Sequence, residues 1–153
     1  DLVKEIEGLI GLAGNATEQL LEAREIVDGY TEQMTNIDKE GFKDQIKEHK
    51  AMKDTINTMI DTILGKEDKR QGITASAKPI TMDYLYTAQY YAYELRQMPD
   101  ATEARLVKQA KDKLNPIIDQ IDGFFQKDWV EYRKSAEELK LSPFKDYESL
   151  KKE

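Results

Sequence analysis

The stretch ATEARLVKQAKDKLNPIIDQIDGFFQKDWVEYRKSAEEL, residues 101–139, decides how the chain is read. Its apolar residues are Leu106, Ala110, Leu114, Ile117, Ile118, Ile121, Phe124, Phe125, Trp129, Tyr132, Ala136 and Leu139. Steps of three and four place them on one helical face turned toward a core. The only Trp and the only Phe-Phe pair lie here. Asn115-Pro116 interrupts the stretch. Proline removes one helical hydrogen bond and clashes with the turn before it, so a kink or a break into two collinear pieces is expected near Asp112–Pro116. The unbroken apolar stripe favours the kink.

Working outward, Leu2 to Ile37 repeats the same logic over a longer span. Leu2, Ile6, Leu9, Ala13, Ala16, Leu20, Ala23, Val27, Tyr30, Met34 and Ile37 alternate steps of four and three, a heptad seam. Such a seam serves a bundle helix or a self-associating coiled coil. Gly8, Gly11 and Gly14 line one side of it. Either they admit a close helix contact, or the helix frays there and restarts at Asn15, with Glu18 completing a capping-box pattern. Asn15-Ala16-Thr17 also matches a glycosylation acceptor, which on a helix is read as chance.

A second helix is expected over about 40–65, with Phe42, Ile46, Met52, Ile56, Met59, Ile60 and Ile63 inward and Gly65 as the stop. His49, the only histidine, sits on this stripe. Three residues before it stands Ile46, not a carboxylate, so the Glu-x-x-His metal spacing is missing and a packed or half-exposed histidine is expected. Lys66 to Ile80 reads as one long loop; Lys69-Arg70-Gln71-Gly72 lacks the glycine spacing of a phosphate cradle.

Thr81 is placed as the cap of a short third helix, about 81–97. It carries five of the eight tyrosines. At about 100° per residue, Tyr84, Leu85, Ala88, Tyr91, Ala92 and Leu95 share one side, and Met82, Tyr86, Tyr90 and Tyr93 the other. A helix apolar on two sides should be covered on both. Met82, Tyr86, Tyr90 and Tyr93 are therefore the candidate binding residues. The cover is the Lys66–Ile80 loop, another domain or a sugar-like ligand, since tyrosine offers a flat ring and a hydroxyl. Asp100 and Glu103 form a capping box that starts the last helix. Leu141-Ser142-Pro143 ends it, and Phe144, Tyr147 and Leu150 are expected to fold back onto the bundle end.

The fold read from these patterns is an all-α antiparallel four-helix bundle, helices about 2–38, 40–65, 81–97 and 101–139, with two long and two shorter helices. The 153 residues suit one domain. Net charge is −7 with 30 acidic and 23 basic residues, which disfavours nucleic acid as a partner. No run approaches the ~18–20 apolar residues of a membrane span. Without cysteine there is no disulfide, thiol chemistry or thiolate-held zinc. No catalytic set, metal site or cofactor motif is read; Asp119 and Asp122 are taken as a solvated face. The chain opens on Asp1, which is read as the start of a piece of a larger protein or of a mature form.

From Lys69 onward the sequence resembles the C-terminal helical region of bacterial sortilin-type (Vps10-like) β-propeller proteins, often labelled glycosyl hydrolases with BNR repeats. The resembling residues are Lys69-Arg70-Gln71-Gly72-Ile73, Leu85-Tyr86-Thr87-Ala88 with Tyr90-Tyr91, and Ala101-Thr102-Glu103. They continue through Leu114-Asn115, Phe124-Phe125, Asp128-Trp129, Tyr132-Arg133, Leu141-Ser142 and Phe144-Lys145. The resemblance implies an upstream propeller facing ligand or glycan, export from the cytoplasm, and an appended helical bundle. No Ser-x-Asp-x-Gly-x-Thr-Trp box of that repeat occurs here, and no catalytic residue can be matched. The expected role is a non-catalytic accessory or interaction domain packing on an upstream domain of the same protein. The alternatives are a carbohydrate-binding or glycosidase-assisting module and a self-associating coiled coil.

Overall fold

The computed structural model describes residues 1–66, 80–94 and 101–151. Every regular element among them is helical: α1 (Leu2–Asp38), α2 (Lys43–Leu64), α3 (Thr81–Glu94), α4 (Ala101–Gly123) and α5 (Trp129–Glu137), the last two joined by a π-turn over Phe124–Asp128. The all-α class is as the periodicity requires.

The α1 seam is buried as the heptads indicate. Ile6, Leu9, Ala13, Ala16, Leu20, Ala23, Val27 and Met34 are all inside. All of these but Met34 join Ile56, Met59, Ile60 and Ile63 of α2, Leu85, Ala88 and Ala92 of α3, and Val107, Ala110, Leu114 and Ile121 of α4 in one core. Each large aliphatic side chain so buried contributes about 1.5–3 kcal/mol. Because the other helices cover the seam, a coiled coil through it would require the bundle to open.

Cross-helix partners set the directions. Arg24 donates to Asn57 at 2.9 Å and Asp28 pairs with Lys53 at 2.8 Å, so α2 descends as α1 rises. Thr81 donates to the carbonyl of Thr62 at 3.0 Å, and Tyr93 bonds Glu7. Helix α3 therefore continues in the direction of α2 along the first half of α1. Lys111 reaches Glu5 at 3.0 Å, while Ala136, Leu139 and Leu141 border Tyr30 and Gln33. Hence α4 and α5 run back alongside α1. With 22 and 14 residues, α2 and α3 together match the 37 of α1 within one residue. The two shorter helices lie end to end as one rod rather than side by side as two.

Several local expectations change. Helix α1 runs unbroken through Gly8, Gly11 and Gly14, and a Cβ at any of them would meet nothing within 4 Å. They mark neither a close contact nor a frayed start. Helix α2 begins at Lys43; Asp38 instead closes a turn by accepting from the Gly41 amide at 3.0 Å. Thr81 does not cap α3. Asp83 does, accepting the Ile80 amide at 2.9 Å, while the Thr81 hydroxyl satisfies a carbonyl in the last turn of α2 that has no helical partner. Gly65 stops α2 with φ +83°. The last helix stays helical through Pro116 and departs from α geometry at Phe124–Asp128 instead. That π-turn sits where Phe124, Phe125 and Trp129 interlock, their ring centroids 5.1–6.1 Å apart. Phe144, Tyr147 and Leu150 do not fold back; they are 89, 89 and 99 % exposed. The Asp100 cap and the loop from Glu67 to Pro79 lie outside the described residues.

Candidate functional site

Helix α3 is short, and its inner residues are small or slender: Leu85, Ala88 and Ala92 are buried, with Thr81 beside them. Two alanines let the helix lie close to α1 and α4. Close approach on that side leaves its bulky residues on the flanks and outside.

The tyrosines divide into two groups. Tyr84 is half-buried against the core, with the Lys113 ammonium 5.3 Å from its ring centroid. Tyr86 and Tyr90 stand outward, 55 and 62 % exposed. Tyr93 and Tyr91 form the shoulders, each 37 % exposed. Tyr93 is tied to α1 by its hydroxyl, which donates to Glu7. Tyr91 packs edge-on against Tyr90, centroids 5.7 Å apart and planes at 89°.

Of the four residues selected from sequence, the structure brings three to the open side: Tyr86, Tyr90 and Tyr93. Met82 packs against the core instead. Tyr91, which the helical wheel assigns to the inner side, joins the outer surface through Tyr90. The wheel misses this because Tyr91 lies at the edge of the inner arc, and a large ring there slides out over its neighbour. The expectation that residues 67–79 cover this side falls outside the described residues.

The surroundings are acidic. Asp83 in the first turn of α3, Glu94 at its last residue and Glu7 of α1, the partner of Tyr93, are all exposed. Aromatic faces beside carboxylates favour a cation, through ring quadrupole and charge together. Among the described residues no cluster of three His, Asp or Glu side chains is placed to hold a metal ion, and no helix is long and apolar enough to cross a membrane.

A second aromatic group lies inside the bundle. His49 is buried; its Nδ1–H donates to the Gln45 carbonyl at 2.8 Å. Tyr30 and Tyr132 pack on its ring, centroids 5.8 and 5.0 Å away. Burial, with Tyr30 alongside, pushes the Tyr132 phenol well above its ordinary value. Of the packed and half-exposed alternatives His49 takes the packed one; its tyrosine partners come from α1 and α5, which sequence separation conceals.

No protein-family model matches this chain, and neither the curated proteins nor the solved structures contain a match to it. The resemblance to sortilin-type proteins therefore rests on the quoted residues alone.

Proposed function

We propose that the chain is a non-catalytic helical interaction module that packs on a neighbouring domain of a larger protein through the outer side of α3. One observation carries the reading: Tyr86 and Tyr90 are 55 and 62 % exposed on a helix whose opposite side is fully buried. Paired exposed tyrosines are enriched at interfaces because each brings a large rigid surface and a hydroxyl at low entropic cost. The acidic flank adds a chemical requirement: the partner surface should present Arg or Lys to the rings. A β-propeller as that neighbour, and export of the whole protein, are implied by the resemblance and by nothing else.

The test uses a Tyr86→Ser/Tyr90→Ser chain and the domain encoded next to it, expressed separately. Calorimetry should show binding to the unaltered chain that weakens with salt and falls at least about tenfold in the variant. Equal affinity in both chains refutes the reading. Carbohydrate binding is the second reading, favoured by the right-angled Tyr90–Tyr91 pair. A glycan panel titrated against tyrosine fluorescence supports it if a saturable change appears and is lost with Tyr90→Ser.

A further inference from the structure

Two polar atoms inside the bundle are left without a partner, Nε2 of His49 and the hydroxyl of Tyr132. Groups so buried are nearly always paired, because each costs free energy when it is not. Their chemistry says what would pair them. A carbonyl only accepts, so the 2.8 Å bond to Gln45 fixes the proton of the neutral His49 ring on Nδ1. Nε2 is then a lone pair in need of a donor. Burial holds the proton on the Tyr132 phenol, so its O–H is a donor in need of an acceptor. The two rings touch edge-on, centroids 5.0 Å apart. One group that both donates and accepts answers both needs, and the smallest such group is a hydroxyl.

The pair lies behind a surface hollow of about 450 Å³, a volume within the range of small-molecule sites. The hollow is lined by Ile26, Gly29 and Tyr30 of α1 and by Ala136, Leu139 and Leu141 where α5 gives way to the tail. Two of those residues back onto the pair. Tyr30 lines the hollow and also packs on the His49 ring, centroids 5.8 Å apart. Ala136 stands one helical turn beyond Tyr132 on the same side of α5. Gly29 and Ala136 are small, so Tyr30 is the bulky part of that wall. Ile26, Leu139 and Leu141 give the hollow apolar surface, and Ile26 is half exposed. The π-turn at Phe124–Asp128 ends beside this group: Trp129, the residue after it, stacks on Tyr132 with centroids 5.0 Å apart. Such turns recur at functional sites.

We propose that the hollow and the His49–Tyr132 pair form one binding site for a small uncharged alcohol or phenol. The ligand hydroxyl donates to His49 Nε2 and accepts from the Tyr132 O–H. Its hydrocarbon body lies along Ile26, Leu139 and Leu141, and the Tyr30 ring swings aside as the gate. The polar ends unused in the empty bundle become the recognition elements of the filled one. A molecule with the same body and no O–H is rejected, since Nε2 would stay unpaired beneath it. The site is separate from the outer tyrosines of α3 and does not depend on their role.

Titration of para-propylphenol into the 153-residue chain, followed by NMR, tests this. A saturable shift is expected in the His49 ring nitrogens and in the amides of residues 26–33 and 132–139. The methyl ether of the same phenol should bind at least about tenfold more weakly. Tyr132→Phe keeps the ring that packs on His49, so the variant stays folded, and it should weaken the phenol about five- to tenfold. The ether comparison needs no variant and stands on its own. No saturable shift with the phenol overturns the proposal. So does equal affinity for phenol and ether, or for the parent chain and Tyr132→Phe, since the hydrocarbon body alone would then be what binds.

Discussion

His49 and Tyr132 meet edge-on inside the bundle, ring centroids 5.0 Å apart and planes at 68°. Each carries a buried polar atom with no hydrogen-bond partner, Nε2 of His49 and the hydroxyl of Tyr132. Helices α2 and α5 are thus joined by two rings whose shapes fit and whose polar ends go unused. Burying a hydroxyl without a partner costs stability that an apolar side chain of the same shape would not.

Tyr132→Phe should therefore raise the stability of the fold by about 1 kcal/mol, read from the urea midpoint. The pH dependence has a definite sign. The folded phenol titrates above its unfolded value of about 10. Below pH ~10 both states hold the proton and nothing is lost. As pH climbs past that value the unfolded chain releases its proton first, so stability falls. The variant should lose less stability than the parent between about pH 9 and 11. A steeper alkaline loss in Tyr132→Phe would contradict this assignment.

Gly65→Ala should destabilise by about 1–2 kcal/mol. Its φ of +83° lies where L side chains are strained, and a Cβ would come 2.7 Å from Cγ2 of Ile80. Chemical denaturation checks the magnitude. Trimming Ile80 to Ala in the same chain should relieve the contact while the backbone strain persists, so rescue is partial. Full rescue would mean that strain plays no part.

Gly8→Ala, Gly11→Ala and Gly14→Ala should each stabilise, by about 0.5–1 kcal/mol. These residues lie in a continuous helix, and an added methyl group meets nothing. A triple variant should melt several degrees higher in a calorimetric scan. A lower melting temperature would mean that the glycine side is packed against something in solution.

Pro116→Ala should likewise raise stability, by on the order of 1–3 kcal/mol, since Pro116 is exposed in the interior of α4 and the alanine restores an amide donor. Amide exchange around Asp112 should slow. Unchanged exchange and unchanged stability would show that the helix has already absorbed the proline at no cost.

How much of this was legible beforehand differs by residue. The α1 seam was fully legible, because a heptad pattern from Ile6 to Met34 admits one buried face whatever covers it. The inner side of α3 was legible for the same reason at Leu85, Ala88 and Ala92. Val107 is not legible: the three-and-four stripe runs through Leu106, and one residue of phase separates that half-buried position from the buried one. Pro116 signals a disturbance of the last helix, whereas bulky rings at Phe124, Phe125 and Trp129 accompany the actual irregularity, a tertiary effect with no local signature. The end-to-end order of α2 and α3 depends on the Thr62–Thr81 and Glu7–Tyr93 pairs, which no periodicity encodes. Of the candidate site, Tyr86 and Tyr90 followed from the wheel; Met82 and Tyr91 did not, since flank positions are decided by side-chain size.

The outer tyrosines of α3 remain the centre of the functional account, and their reactivity tests it most directly. Tyrosine nitration, mapped by mass spectrometry, should modify Tyr86 and Tyr90 readily in the 153-residue chain. In the intact polypeptide encoded by the full reading frame, both should be protected several-fold while exposed Tyr147 stays reactive. Equal nitration of Tyr86 and Tyr90 in the two contexts would show that no neighbouring domain rests on this side of the helix.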